Sequence, residues 1–323
     1  MRELSAGMLV LVLAVLAAGC AAQGVRGRDR ADEATDAAPS APAVAWREVR
    51  LDEPALDESS GVAASHRHPG LYWTHNDSGD GPYLYAFGVD GRRRGVWRVA
   101  GARADDWEDV ASGPGPLPGR SYLYVGDIGD NDRARAYVTV YRVPEPPVSA
   151  DDADSTRWEP RPTEPAEAIR LKYPDGRHNS EALLVHPSTG DIYLVVKTGQ
   201  AGCGVYRLRA ASATAGVNTL ERVGEFRSPS PLGSLVTGAA IAPDGRRVVL
   251  CDYLQAYELR LPDEPGAPFE SVWQQTPTVI QVGPRRQGEA VCYRLDGAAL
   301  VLTSEGIPAM FYEVELKQVD SRQ

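Results

Sequence analysis

Short apolar runs alternate with turn-forming residues along most of this chain, and the runs fall into repeating groups. Five phrases open on an oxygen-bearing residue and continue as small or apolar residues: Ser60-Gly61-Val62-Ala63, Glu108-Asp109-Val110-Ala111, Glu181-Ala182-Leu183-Leu184, Thr237-Gly238-Ala239-Ala240 and Glu289-Ala290-Val291-Cys292. Each is followed by a second apolar run, such as Tyr122-Leu123-Tyr124-Val125 or Ile192 to Val196, and then by a third, such as Tyr83 to Phe87 or Val138 to Val143. Fourth runs are less regular: Gly95 to Val99, Ala168 to Leu171, Leu220 to Val223 and Thr278 to Val282. Connectors such as Val89-Asp90-Gly91, Pro243-Asp244-Gly245 and Leu295-Asp296-Gly297 carry the residues that tight strand links require. The opening positions are 48, 73, 56 and 52 residues apart, the spacing of four-stranded propeller blades, and the longest unit carries the Pro- and Asp-rich insert from 144 to 165.

Too little chain follows Glu289 for four strands. The missing strand is available at the other end, where Trp46-Arg47-Glu48-Val49-Arg50-Leu51 alternates apolar and polar and precedes the first unit. Pairing it with the last blade closes the ring and hides both edges. The pattern predicts an all-β, five-bladed propeller, with a six-bladed ring, the second unit split, as the alternative.

The ends read differently. Arg2 precedes an apolar stretch from Met8 to Ala18 and then Gly19-Cys20. That order of positive, hydrophobic and small residues is an export signal too short to span a bilayer. Ala17-Ala18-Gly19-Cys20 resembles a lipobox, with Ala17 where leucine is usual and Leu16 one step earlier. The resemblance implies cleavage before Cys20, lipidation of its sulfur, and a membrane-anchored protein on the extracytoplasmic face. Residues 21–45 have neither aromatic residues nor a periodic apolar pattern and read as a disordered tether. The expected organisation is thus signal 1–20, tether 21–45, propeller 46–317 and tail 318–323.

Charge narrows the partners. With 34 basic against 44 acidic residues, a net charge of −10 and no basic stripe interleaved with aromatics, nucleic acid is excluded as an expected partner. A monomer is expected. Cys203, Cys251 and Cys292 lack metal-type spacing, and the latter two sit in apolar runs, so buried thiols are expected rather than a disulfide.

In a propeller the first strand of each blade lines the axis, so Ser60, Glu108, Glu181, Thr237 and Glu289 are expected to ring one mouth. Three carboxylates facing one another repel unless a cation sits among them. Oxygen ligands in flexible geometry suit Ca²⁺; a hydrated channel is the alternative. Loops between second and third strands reach the same mouth. They bring His75, Asn76 and Asp77, then Asp127, Asp130 and Asn131, then Lys197, then Asp252 and Tyr253, then Glu305, with His178 and Arg286 arriving beside them. Asp77, Asp127, His75 and Lys197 are the candidate catalytic groups for metal-assisted attack of water on a phosphoryl or carbonyl centre. The others are candidate ligand contacts for a small molecule or glycan.

This ring, spanning Trp46 to Leu316, resembles the five-bladed calcium-dependent apyrases, whose inner strands open on Ser, Glu, Glu, Ser and Glu; Thr237 stands for the second serine. The run Leu71 to Gly79 is similar to that family's first-blade strand and acidic loop, although Ser78 replaces its arginine, and Tyr122 to Gly126 is similar to its second-blade strand. His75 to Gly79, Gly126 to Asn131 and Ser304-Glu305-Gly306 resemble a set of uncharacterised bacterial secreted propeller lipoproteins. The resemblance implies a propeller around a central calcium; the axial ring and the polar mouth point to hydrolysis of phosphate esters or anhydrides. A non-catalytic binding propeller with structural calcium and a lactonase-type hydrolase are the alternatives.

Overall fold

A computed structural model describes residues 46–230 and 233–316. The expected signal, Cys20, the tether and the tail lie outside the described residues. Among those described, no helix is long and apolar enough to cross a membrane.

The strand β1 (Trp46–Arg50) comes first, followed by blade 1: β2 (Ser59–Ala64), β3 (Leu71–Asn76), β4 (Tyr83–Gly88) and β5 (Arg93–Ala100). Blade 2 begins with β6 (Trp107–Pro114), β7 (Ser121–Asp127) and β8 (Val138–Pro144); after β9 (Arg161–Pro165) it resumes with β10 (Glu167–Lys172). Blade 3 is β11 (Ser180–Val185), β12 (Ile192–Val196), β13 (Gly202–Leu208) and, after β14 (Val217–Thr219), β15 (Glu221–Arg227). Blade 4 is β16 (Gly238–Ile241), β17 (Arg247–Cys251), β18 (Ala256–Arg260) and β19 (Thr278–Ile280). The last blade is β20 (Gly288–Tyr293), β21 (Ala299–Ser304) and β22 (Met310–Glu315), with β1 antiparallel to β22 from Trp46↔Val314 to Arg50↔Met310. The ring is therefore five-bladed and closed as expected, and the six-bladed alternative is excluded.

Two strands depart from the sequence reading. The insert does not stay in blade 2: β9 crosses over and pairs parallel with β5, making a fifth strand on blade 1, and β14 likewise pairs parallel with β10 on blade 2. Neither has an alternating apolar pattern, because an edge strand on the outside of a blade buries little; β9 reads exposed at four of its five positions.

Apolar side chains lie in layers between adjacent blades. The T-shaped pair Trp73 and Trp97, 5.0 Å apart, fills one such layer. Inner strands approach closely because they carry small residues. A Cβ on Gly238 would lie 2.8 Å from the Glu289 carbonyl of the next blade. Cys203, Cys251 and Cys292 are buried free thiols, as expected.

Asp109 is buried completely at the axis. It accepts N–H groups from Val110 (2.8 Å) in its own blade, Leu183 (2.9 Å) in blade 3 and Ala239 (3.4 Å) in blade 4. Burial pushes its carboxyl well above the usual range, and the three N–H groups oppose that shift.

Candidate metal centre at the axial mouth

The ring of opening residues is built by a repeated backbone irregularity. In blade 1 the register passes from Ser59↔Asn76 to Gly61↔His75, leaving Ser60 unpaired. The same slip leaves out Glu108 in blade 2, Glu181 in blade 3 and Glu289 in blade 5. A bulge removes one residue from the ladder and re-aims its side chain, so four blades turn an inner-strand residue toward the mouth. In blade 4, Thr237 instead precedes β16 and donates its N–H to the Cys251 carbonyl at 3.0 Å.

The two hydroxyl members of the ring hold neighbouring blades together. Ser60 donates to the Glu108 carbonyl (2.7 Å) and Thr237 to the Gly288 carbonyl (3.1 Å). The carboxylates behave differently. Asp77, Asp106 and Glu108 place one oxygen each within 4.8 Å of one another, a set that can hold a metal ion. Glu108 is only 4% exposed, and among the described residues no N–H or O–H donates to its carboxylate or to that of Asp106. Burial pushes the Glu108 carboxyl well above its ordinary range, with Glu181, Asp77 and Asp106 adding repulsion. Burial also raises Asp106 to about 6, with Asp77 the largest repulsive neighbour. Asp77 sits at the hub, raising Glu58, Glu181 and Glu305 as well.

On the other side of the mouth the charges are partly matched. Lys197 donates to Glu181 (2.6 Å) and to the Tyr253 hydroxyl (2.7 Å), and these partners hold its ammonium firmly protonated against burial. Gln287 donates to Glu289 (2.8 Å) and Glu305 (2.6 Å). Burial and Glu305 push Glu289 up to about 8; burial and Asp77 push Glu305 up to about 7. The sequence-derived candidates Asp77, Glu108, Glu181, Lys197, Tyr253, Glu289 and Glu305 are thus brought together.

Others are placed elsewhere. His75 is fully buried edge-on against Trp107 (5.5 Å), and burial pushes it down to about 4, so it is a neutral packing residue and not a base at the mouth. Asp127 is ion-paired to Arg135 (2.7 Å) and accepts the Asp106 N–H (3.1 Å), positioning the loop that carries Asp106. Asn76 binds the Asp57 and Glu58 N–H groups, while Asp130 accepts from Ala134 and Arg135. Asp252 closes its own turn through Leu254, Gln255 and Tyr257. His178 lies between Asp175 and Tyr206. Asn131 accepts from Asn179, whose amide also reaches Glu181, and Arg286 is exposed on the rim.

Asp106 is the residue sequence reasoning missed. Its signal is the acid-dense run Asp105-Asp106-Trp107-Glu108-Asp109, but only the bulge at Glu108 decides which of these acids converge. Gly129 makes room for the cluster: a Cβ there would collide with the Glu108 and Asp106 carboxylates. Gly129→Ala should leave the propeller folded but abolish stabilisation by divalent cations; a melting curve that still responds to the ion would count against the cluster.

Comparison with protein-family models and with curated proteins finds no match. A solved structure does align. It is a gluconolactonase from Xanthomonas campestris with 13% identity, a TM-score of 0.46, and coverage of 87% of this chain and 99% of that one. At that similarity no residue-level correspondence follows.

Proposed function

We propose that the protein binds Ca²⁺ at the axial mouth and hydrolyses phosphate esters or anhydrides there, displayed on the extracytoplasmic face by a lipid on Cys20. The observation that carries the cation is the buried Glu108 carboxyl, to which no group among the described residues donates and which faces Asp77 and Asp106. Such a group is costly without a counter-charge. The donor set is all oxygen, which fits Ca²⁺ and not a metal that demands imidazole or thiolate.

A bound ion supplies polarisation of a phosphoryl oxygen. The chain's own residues supply the rest. Lys197, kept charged by Glu181 and Tyr253, offsets developing anionic charge from the blade 3 side. Glu305 is half-buried on the rim, where burial and Asp77 raise its carboxyl in the ion-free chain, and it is placed to take a proton from an attacking water. The paired state of Lys197 and Glu181 favours a second reading, in which calcium is structural and the mouth only binds.

Phosphate release from nucleotides, phytate and sugar phosphates decides between them. The hydrolase reading expects turnover that needs calcium and falls on the order of 100-fold in Glu108→Gln. No release from any of the three leaves the binding reading, and turnover of lactones instead would move the chemistry to a carbonyl centre.

A further inference from the structure

Outside the mouth, a groove of about 510 Å³ runs over the face of blade 2. Three guanidinium groups line it in a chain whose net charge is −10. Arg135 is committed to Asp127 (2.7 Å) and to the Gly129 carbonyl (2.8 Å). Arg103 and Arg170 are exposed and form no ion pair among the described residues. Arg170 lies over the Tyr137 ring at 5.8 Å, and that ring is 42% exposed. Asp105, also exposed and without an ion pair among the described residues, and Thr139 add oxygen atoms to the wall. The inner end abuts the mouth, because Asp127 accepts the N–H groups of both Asp105 (3.4 Å) and Asp106 (3.1 Å).

Two unpaired guanidiniums select a planar carboxylate by paired N–H donation. The exposed part of the Tyr137 ring adds apolar surface beside them. Asp105 and Thr139 match hydroxyl groups. We propose that this groove is a binding site for an acidic glycan, one uronic acid ring packing against the exposed part of Tyr137 with its carboxylate met by Arg103 and Arg170. The site is independent of the cation cluster, since none of Arg103, Tyr137 and Arg170 belongs to it.

The experiment is calorimetric titration of the full-length chain with trigalacturonate, with maltotriose as the neutral match, each in calcium and in EDTA. Saturable binding of trigalacturonate is expected in both buffers, and none of maltotriose. Arg103→Ala with Arg170→Ala should weaken it at least about tenfold, and Tyr137→Ala by about threefold to tenfold. All three side chains are exposed, so unchanged melting curves are expected to certify the folded state. Any of these results would overturn the proposal: no saturable binding, equal binding of the neutral trisaccharide, unchanged affinity in the arginine variant, or inorganic phosphate binding as tightly through the same arginines. Binding that vanishes in EDTA would also overturn it, by assigning the glycan to the mouth.

Discussion

Asp109→Ala is expected to destabilise the propeller by about 4 kcal/mol, the largest single effect in the molecule. The carboxylate is fully buried and receives N–H groups from the inner strands of blades 2, 3 and 4. Alanine would leave those donors buried and without their acceptor at the point where the blades meet. For a domain of this size that corresponds to a fall in Tm of about 8–16 °C. Asp109→Asn keeps one acceptor oxygen and should lose less. A Tm within about 2 °C of the parent for the alanine variant would mean that blade packing alone fixes the axis.

The second large effect couples calcium to pH. Glu289 and Glu305, raised to about 8 and 7, bind protons more tightly in the folded chain than in the unfolded one. A raised folded pKa contributes stability at low pH that is lost as pH rises through the folded value. In EDTA, Tm should therefore fall as pH rises from about 4.5 and level off above about pH 8, with Glu289 alone contributing about 1 kcal/mol per pH unit in that range. Below about pH 6.5 His66, His75 and His186, all lowered by burial, act in the opposite sense. The decline should become shallower in Glu289→Gln, by the Glu289 share. Calcium should reverse it, since the ion competes with protons for the carboxylates; at about 100 times its Kd it adds about 2.7 kcal/mol, or about 5–10 °C. Asp106→Asn should remove the calcium response. A flat EDTA profile, or a calcium shift that survives Asp106→Asn, would argue for a hydrated channel.

Much of this architecture is legible in the linear pattern. Period-two alternation and turn chemistry act over a few residues, so the blade strands could be read one by one. The closing strand from Trp46 follows from counting, because a ring with an open edge is a liability. The opening residues Ser60, Glu108, Glu181, Thr237 and Glu289 were legible as a recurring phrase.

What the sequence determined, then, was the number of blades, their closure and the acids that open the inner strands, because those depend on local periodicity. What only the tertiary structure decided was which polar groups meet. Asn, Asp and His residues in the loops look alike along the chain, yet Asp77 and Asp106 face Glu108 while Asp127, Asp130 and Asp252 satisfy nearby backbone N–H groups, and His75 turns inward against Trp107. That sorting rests on one-residue bulges and on contacts between blades more than 45 residues apart, such as Ser60 to Glu108, which no local pattern encodes.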